Sequence, residues 1–464
     1  MVRRPASRLQ LSGQRLLARR MMHALVRGDV AMYDDPLRAQ SLSLAVGGVL
    51  AALVVAAGSV VGMLRPHGVP DSAPIVMATD TGALYVRVGD TLHPVPNLTS
   101  ARLIARTAVD PVGASTASIG EARRGPSMGI PGAPAAIGRP LRGQAWTVCD
   151  GEDTVVGYGA PEDDRPDSGR PVLVTPRGES AAITYLLYDG RRAAVDLRNV
   201  AVVRALHLDG VDPVAVSRTL LDLVPEVPAI AAPPIVGLGA PGPPVLEGAT
   251  IGSVIAVQRA GVIERYVVLR DGLQMIGDVA ADLIGFAYDV RAQAVPTVAP
   301  AEIATLPISH SLPVGTFPQR AHTPVGVADG QTVCARWRPG ASANRTSSSN
   351  TVVVVGESPY RRRADLAQAD GEGPNVDAVA MPGGASAYVQ SARIVGDDGA
   401  TGARFLVTDA GVTFGVRDDD TAKIIGLQQH PEPAPWAILA HLPRGPELSV
   451  DAASVVRDGL PTPS

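Results

Sequence analysis

A single long apolar run dominates the hydropathy pattern of the 464-residue chain. Residues Ser41 to Leu64 form 24 consecutive uncharged and mostly apolar positions. At about 1.5 Å per residue, a helix of this length reaches roughly 36 Å, which is enough to cross a hydrocarbon layer of ~30 Å. The pattern therefore predicts one transmembrane helix over residues 41–64.

The charges on either side of this run predict its orientation. The first 40 residues carry eight Arg and three Asp, a balance of +5, whereas the other flank carries one Arg before two Asp. By the positive-inside rule, the N-terminus is cytoplasmic and residues 65–464 lie outside. A cleaved signal peptide is the alternative, but a 40-residue basic leader is long for one, and Leu64-Arg65-Pro66 is a poor cleavage site. We therefore expect an uncleaved, single-pass plasma-membrane anchor.

A basic amphipathic helix is predicted within residues 1–40. Ser12 is suited to cap it. One face is apolar, with Leu17, Met21, Ala24 and Leu25, and the rest is basic, with Arg15, Arg19, Arg20, His23 and Arg27. Two interpretations remain open: a membrane-surface helix held by anionic lipid, or a docking arm for a cytoplasmic partner. The candidate docking residues are Arg15, Leu17, Arg19, Arg20, Met21 and Leu25.

The outer region contains four similar segments, over residues 83–104, 184–208, 265–286 and 404–427. In each, an aromatic residue opens a short β-prone run and a glycine follows four to six residues later. Asp189-Gly190 and Asp271-Gly272 are strong hairpin-turn pairs because both residue types tolerate positive φ. The predicted unit is strand, turn, strand, helix, and its fold class is α+β. Coincidental hairpins in a β-rich protein are the alternative interpretation.

The uneven spacing of these segments predicts a central domain made of two insertions. The expected organisation is repeat 1 at 74–110, the first insertion of the central domain at 111–180, repeat 2 at 181–226, a Pro/Gly-rich connector at 227–247, repeat 3 at 248–310, the second insertion at 311–400 and repeat 4 at 401–458. Each insertion holds one cysteine, Cys149 or Cys334. An even cysteine count in an oxidising compartment predicts one disulfide, which would join both insertions, although two unrelated buried thiols are the alternative.

Composition narrows the class of partner. The whole chain carries −4, the first 40 residues +5 and the span no charge, which leaves −9 outside and argues against nucleic-acid binding. Within the span, Gly58 and Gly62 are four residues apart, a spacing that lets helix backbones pack closely. Because the span is rich in Ala, Gly and Val, the pair is also expected by chance.

No motif in the sequence predicts catalysis, a cofactor or a metal site. HExxH and GxSxG are absent, and the eight histidines lack metal-ligand spacing. A phosphate loop needs GxxxxGK[ST], but the single lysine, Lys423, stands between Ala422 and Ile424. The glycine-rich stretch 237–242 runs into two prolines rather than a helix. The acidic runs 162–164 and 418–420 lack the alternating ligands of a calcium loop.

Five stretches carry a resemblance to a known family. They are SGQRLLARRMMHALVRGD at 12–29, APIVMATDTGALYVRVGDTLHPVPNLTSARLI at 74–104, GIPGAP at 129–134, SRTLLDLVP at 217–225 and LPRGPELS at 442–449. In order and over nearly the whole chain, they resemble the EccB family, the single-pass component of the actinobacterial type VII (ESX) secretion membrane complex. The resemblance implies four periplasmic repeats, a disulfide-bearing central domain and self-association. It also implies assembly with EccC, EccD and EccE, with the basic arm docking on the ATPase EccC.

Two functions from different classes follow. The first is a structural, membrane-anchored core component of a type VII secretion complex that links a cytoplasmic motor to a periplasmic assembly. The alternative is an ATPase, a label sometimes attached to this family, or an envelope protein that binds or hydrolyses cell wall. Because neither a phosphate loop nor a carboxylate or His/Cys site can be drawn from the sequence, the scaffold is the preferred hypothesis.

Overall fold

The computed structural model describes residues 8–28, 36–64, 72–143, 145–159, 170–178, 183–288, 295–339, 351–394, 402–427 and 430–457. The chain divides into two units. One comprises Met1–Ser72 with Ala117–Ile119, and the other comprises Ala73–Thr116 with Gly120–Ser464. The first contains two long helices, α1 over Arg8–Arg27 and α2 over Pro36–Leu64. The predicted span thus lies inside a helix that begins several residues earlier.

After residue 72 the chain forms short strands and helices. The first group is β1 Ile75–Ala78, β2 Leu84–Val88, β3 Thr91–Val95, α3 Leu98–Ala105, β4 Val112–Ala114, α4 Thr116–Glu121, β5 Ser127–Met128, β6 Arg139–Pro140, β7 Trp146–Asp150 and β8 Thr154–Tyr158. The second is β9 Val172–Pro176, β10 Tyr185–Tyr188, β11 Arg191–Ala194, α5 Val200–Ala205, β12 Val214–Val216, α6 Arg218–Leu223 and β13 Glu226–Val227. The third is β14 Val254–Arg259, β15 Val262–Leu269, β16 Gly272–Ile276, α7 Asp278–Ala287, β17 Thr297–Val298 and α8 Pro300–Ile303.

The remaining elements complete the region after residue 72. They are β18 Gln331–Trp337, β19 Thr351–Glu357, β20 Ala364–Asp365, β21 Ala378–Ala380, β22 Ala385–Ala392, β23 Arg404–Thr408, β24 Thr413–Val416, α9 Asp419–Ile425, β25 Glu432–Pro435, α10 Trp436–Leu439, α11 Val450–Ala453 and β26 Val456–Arg457. β26 pairs with β5, so the end of the described chain returns to an early strand.

Four small sheets share one strand order. We name them sheet 1 (β3-β2-β1-β4), sheet 2 (β12-β9-β10-β11-β13), sheet 3 (β16-β15-β14-β17) and sheet 4 (β24-β23-β22-β25). In each, three consecutive antiparallel strands are followed by a helix and then by a fourth strand parallel to the first. After the fourth strand, the chain runs parallel to the third strand for a short distance. In sheets 1, 3 and 4 this contact includes a parallel β-bridge: Leu92–Arg124, Leu273–Ile308 and Thr413–Arg444.

Local sequence explains the hairpins and helix starts within these sheets. Asp189 and Gly190 both have positive φ, 45° and 66°, as a tight primed turn requires. Gly272 has φ 138°, and a Cβ there would overlap the Pro307 carbonyl. Asn97 caps α3 by accepting the Ser100 amide at 2.8 Å. The predicted strand, turn, strand, helix is therefore present, but the prediction omitted the first and fourth strands of each sheet.

A fifth sheet, the central sheet, is built from two distant segments of the chain in the order β19-β18-β7-β8-β21-β20. The disulfide Cys149–Cys334, which was the expected pair, joins the neighbouring antiparallel strands β7 and β18 across a sequence separation of 185. The expected ranges of the central domain, 111–180 and 311–400, were too wide. They included β9 and β22, which belong to sheets 2 and 4. Each of these strands pairs antiparallel with the strand that follows it, β10 or β23.

Three shared apolar cores hold the sheets together. Sheets 2 and 3 share one core, in which α5 and α7 pack together. Sheets 1 and 4 share another, which includes Leu103 of α3 and Phe414 of β24. The third is the most extensive apolar cluster among the described residues. It joins Trp146 and Trp337 of the central sheet to α6 of sheet 2 and α10 of sheet 4. Both pairs of small sheets therefore pack on the central sheet.

The disulfide is expected to be a large contributor to the stability of this arrangement. For a loop closed across 185 residues, loss of the bond in Cys149→Ala/Cys334→Ala should lower the unfolding free energy by at most about 5 kcal/mol in the chain-entropy model. Urea unfolding, followed by the fluorescence of the buried Trp146 and Trp337, measures this change. The control is the wild-type protein unfolded in urea with its disulfide reduced, which lacks the bond but keeps both cysteine side chains. An unchanged midpoint in the double variant would show that the bond does not hold the central sheet.

Candidate functional site

The apolar helix is the first candidate surface. Within α2, Ser41–Val60 is long and apolar enough to cross a membrane by length and composition, and it is the one such helix among the described residues. Every described side chain in this stretch is exposed, including Leu50, Leu53 and Val54. An exposed apolar helix of this length is stable only against lipid or against other apolar helices. The helix therefore supplies an anchor.

The small-residue pair in the span was a predicted packing site. A Cβ added at Gly58 would meet nothing within 4 Å, so its face of the helix is open. Gly62 lies in α2, but its surroundings fall outside the described residues. Contact between this pair and another helix stays a prediction.

The basic helix α1 is the second candidate surface. Of the predicted docking residues, Leu17, Met21 and Leu25 are exposed, as are Arg15 and Arg19, whereas Arg20 is half-buried. Two further apolar side chains, Met22 and Val26, are also exposed, so the apolar surface is wider than the sequence pattern predicted. No acidic residue lies in the first turn and Arg27 lies in the last, which suits the helix dipole at its C-terminal end. The exposed surface is both apolar and cationic.

Buried charges join the central sheet to sheet 2. Asp150, at the end of β7, is only 3% exposed, and its Oδ2 accepts the Ser217 backbone amide at 2.6 Å. Burial raises the pKa of Asp150, and the hydrogen bond from Ser217 opposes that shift. Arg177, which follows β9, donates to the Gly151 carbonyl at 3.0 Å and to the Gly371 carbonyl at 3.4 Å. One sheet is thereby held to the other by polar contacts as well as by apolar packing.

A buried aspartate organises the loop between β20 and β21. The Oδ1 of Asp377 accepts the amides of Asp370 and Gly371, both at 2.7 Å. Its Oδ2 accepts the Thr154 amide at 2.7 Å. Since Gly371 is also a partner of Arg177, this loop completes the connection between the central sheet and sheet 2.

A second polar connection joins the central sheet to sheet 4. Tyr158 of β8 donates its hydroxyl to Glu432 Oε2 at 3.1 Å, and Glu432 also accepts the Gly143 amide. Burial, with the neighbouring Glu432 carboxylate, raises the pKa of Tyr158, so the hydroxyl stays protonated and remains a donor. Trp146 packs against Tyr158 with ring centroids 4.4 Å apart and the ring planes tilted by 35°. Tyr158 and Glu432 were not predicted from the sequence, because neither belongs to a local motif.

The structure places most of the residues that the sequence offered for metal or phosphate binding. Among them, no group of three or more His, Cys, Asp or Glu side chains could hold a metal ion. Lys423 lies in α9 and pairs with Asp420 at 3.4 Å on the surface. Asp418 caps α9 by accepting the Thr421 amide at 2.7 Å, so the acidic run 418–420 opens a helix. The other acidic run, 162–164, lies outside the described residues.

Comparison with known proteins identifies relatives along the whole chain. The family described as "Type VII secretion system ESX-1, transport TM domain B" (EccB) matches residues 3–462. A protein named "ESX-3 secretion system ATPase EccB3", from Mycolicibacterium smegmatis, is 33% identical over 98% of this chain and 92% of its own length. One named "ESX-5 secretion system ATPase EccB5", from Mycobacterium tuberculosis, is 32% identical over 98% of this chain and 94% of its own length.

Solved structures resemble the fold as well. A chain of an intact ESX-5 inner membrane complex superposes with a TM-score of 0.71 at 30% identity, covering 100% of this chain and 98% of that one. A chain of the EccB3 dimer from the ESX-3 core complex gives a TM-score of 0.71 at 31% identity, covering 82% of this chain and all of that one.

The raised pKa of Asp150 predicts a pH dependence of stability. A carboxyl whose folded-state pKa is raised contributes most below its unfolded-state pKa, and the contribution is lost as pH rises through the folded-state pKa. Asp150→Asn keeps an oxygen for the Ser217 amide but cannot ionise. The variant should therefore gain stability relative to wild type as the pH rises above about 3.9, the ordinary pKa of an aspartate carboxyl. Urea unfolding at several pH values measures the difference.

Asp418→Asn is the matched control, because the Thr421 hydrogen bond lowers the pKa of Asp418. The sign of its pH dependence should be the opposite: wild type loses stability relative to this variant as pH falls. If both variants shift in the same direction, the environment assigned to Asp150 is wrong.

Proposed function

We propose a function from one premise: the chain belongs to the EccB family of type VII (ESX) secretion systems. It is accordingly a component of an ESX inner membrane complex with a periplasmic assembly. We infer that its role is structural: the chain anchors a folded outer region to the membrane and connects that region to a cytoplasmic motor. It thereby helps to hold the complex together during protein export.

The exposed apolar helix carries this proposal. Ser41–Val60 has no apolar partner among the described residues, and the same chain continues into the four small sheets and the central sheet, which share buried cores. A soluble enzyme would have no use for a helix that only lipid or other membrane helices can bury. A scaffold needs this combination, because one end must stay in the membrane while the other end makes protein contacts.

The four small sheets support an organisation into four repeats. Each contains three antiparallel strands, a helix and a fourth strand that is parallel to the first. We infer that these units are copies of one ancestral repeat and that the central sheet was inserted between them. Repeats that share cores in pairs are expected to form an extended surface rather than a closed active-site cleft.

Orientation follows from charge. The first 40 residues carry +5, and the region beyond the span carries −9. The proposal therefore keeps α1 in the cytoplasm and places the five sheets in the periplasm. An oxidising periplasm also suits the Cys149–Cys334 disulfide.

The proposed partners are the EccC, EccD and EccE type proteins of the same complex, lipid, and further copies of this chain. The exposed cationic and apolar surface of α1 suits either anionic lipid or an acidic, partly apolar groove on the cytoplasmic ATPase EccC. The open face at Gly58 suits a second membrane helix. Nucleic acid is not a proposed partner, because the outer region is acidic.

An ATPase is the second candidate function, because relatives are named as ATPases. The chain's own residues favour the scaffold. Its single lysine is paired with Asp420 on α9, and the glycine-rich stretch at 237–242 forms turns that precede two prolines. A phosphate loop requires glycine-rich backbone amides, a lysine and a helix start in one place. We infer that hydrolysis in the complex belongs to another component.

A reporter thiol tests the proposed orientation. The native cysteines are disulfide-bonded and do not react, so one added thiol is diagnostic. In intact cells, Ser7→Cys should be protected from a membrane-impermeant maleimide and Ser464→Cys should be labelled. Both should be labelled after the cells are opened. The reverse pattern in intact cells would contradict the orientation and the export function together.

Purification of the intact, tagged chain in mild detergent tests the proposed partners. Other membrane-complex proteins should remain bound, and Gly58→Ile with Gly62→Ile should reduce their recovery, because bulk at these positions keeps helices apart. Val54→Ile with Val55→Ile is the matched control for added bulk in the same helix. ATP turnover in the preparation should follow the bound motor. Recovery of the chain alone, or turnover by the chain alone, would contradict the scaffold function.

A further inference from the structure

The central sheet ends in a long edge strand. Among the described residues β19 pairs with β18 alone, and it forms one edge of the sheet, while the two-residue β20 forms the other. At seven residues, Thr351–Glu357 is the longest edge strand in the described part of the chain. An edge strand presents a row of backbone donors and acceptors that can pair with another chain.

The register identifies the outward-facing backbone groups. The Cα atoms of Cys149 and Cys334 lie 4.0 Å apart, the close spacing of a non-hydrogen-bonded antiparallel pair. The amide and carbonyl of Cys334 therefore face β19, where its opposite residue is Val354. Since these directions alternate along a strand, the amides and carbonyls of Val353 and Val355 face away from the sheet. Neither residue has a backbone partner on that side within the described chain.

This edge lacks the features by which proteins usually protect an edge strand. The sequence from Thr351 to Gly356 is TVVVVG, without lysine, proline or any charge. β25, an edge strand of sheet 4, contains two prolines, and β12 and β17, at the edges of sheets 2 and 3, are only three and two residues long. Val352 is 39% exposed. The edge of the central sheet is therefore suited to pairing.

We propose that β19 pairs antiparallel with β19 of a second copy of this chain, about a two-fold axis at Val354. In this register Val353 lies opposite Val355 of the second copy, so the outward-facing backbone groups meet in hydrogen-bonded pairs. The one charged residue, Glu357, lies opposite Thr351 rather than another Glu357. The same patch thus serves both partners, as a closed two-fold interface requires.

This inference rests on the proposed self-association and assigns a place to it. A relative 31% identical to this chain was solved as an EccB3 dimer, so a second copy is the occupant that the comparison favours. Two central sheets would then continue into one sheet, and the apolar core behind each would support the joint. Cross-strand β-branched pairs on both faces would add to the backbone hydrogen bonds.

A single thiol at the two-fold axis tests the register. In the full chain purified in mild detergent, Val354→Cys should form a covalent dimer under mild oxidation, because opposed residues of a non-hydrogen-bonded pair lie within disulfide reach. Val262→Cys is the matched control. Val262 is 60% exposed and lies in the β14–β15 hairpin of sheet 3, which is not part of the proposed interface. Val354→Cys should give at least about tenfold more covalent dimer than Val262→Cys. Peptide mapping should also recover the Cys149–Cys334 peptide intact.

Proline blocks the same edge without touching the β18 ladder. Val355→Pro removes an outward amide, whereas Val355→Ala keeps it. By analytical ultracentrifugation, the proline variant should dimerise at least about tenfold more weakly than the alanine variant. Tryptophan fluorescence and the retained disulfide should confirm that both variants are folded.

The outcomes separate the two claims. A dimer of the expected mass that is not cross-linked through Val354→Cys, or that the proline variant leaves intact, overturns the edge pairing while self-association stands. A chain that remains monomeric in the purified complex overturns both. Covalent dimer at Val354, reduced by Val355→Pro, supports both.

Discussion

The fold of the region after residue 72 depends on the pairing of β7 with β18. These strands come from segments of the chain separated by 185 residues, and their disulfide, Cys149–Cys334, fixes them side by side. On one face of the sheet that they form, Trp146 and Trp337 are almost fully buried. Each fully buried large apolar side chain contributes about 1.5–3 kcal/mol, so the cluster around them outweighs any single polar contact in the region. Without this pairing, neither sheet 2 nor sheet 4 would have the surface on which it packs.

Buried polar contacts then fix how the sheets meet. Apolar packing is largely non-directional, whereas the hydrogen bonds of Asp150, Asp377 and Glu432 each require one geometry. Asp150 and Asp377 lie at the connection to sheet 2, and Glu432 lies at the connection to sheet 4. Leaving such a buried group unpaired costs about 1–3 kcal/mol, which is enough to disfavour other packings of the same sheets. The result is a joint with a defined angle, which a scaffold needs and which an isolated repeat would not provide.

Three surfaces of the described chain are suited to contacts with other molecules. The exposed apolar helix Ser41–Val60 requires lipid or other apolar helices, and the exposed face of α1 is apolar and cationic. Within the described chain, β19 also leaves backbone groups without a partner. These features lie on different elements, yet each is completed only by another molecule. For a member of the EccB family, this distribution agrees with the proposed role as a scaffold within an ESX inner membrane complex.

Sequence alone determined the features that depend on local or compositional physics. The apolar run predicted the anchor because a bilayer selects for length and hydropathy, and Asp189-Gly190 predicted a hairpin because positive φ is a local property. The cysteine count predicted the disulfide partner because only one pair was available. Tertiary structure alone decided that β9 and β22 belong to sheets 2 and 4, that Asp150 and Glu432 lie at joints, and that β19 is an edge. Strand neighbours and buried partners come from residues far apart in the chain, and no local pattern encodes which distant surface will cover a given strand.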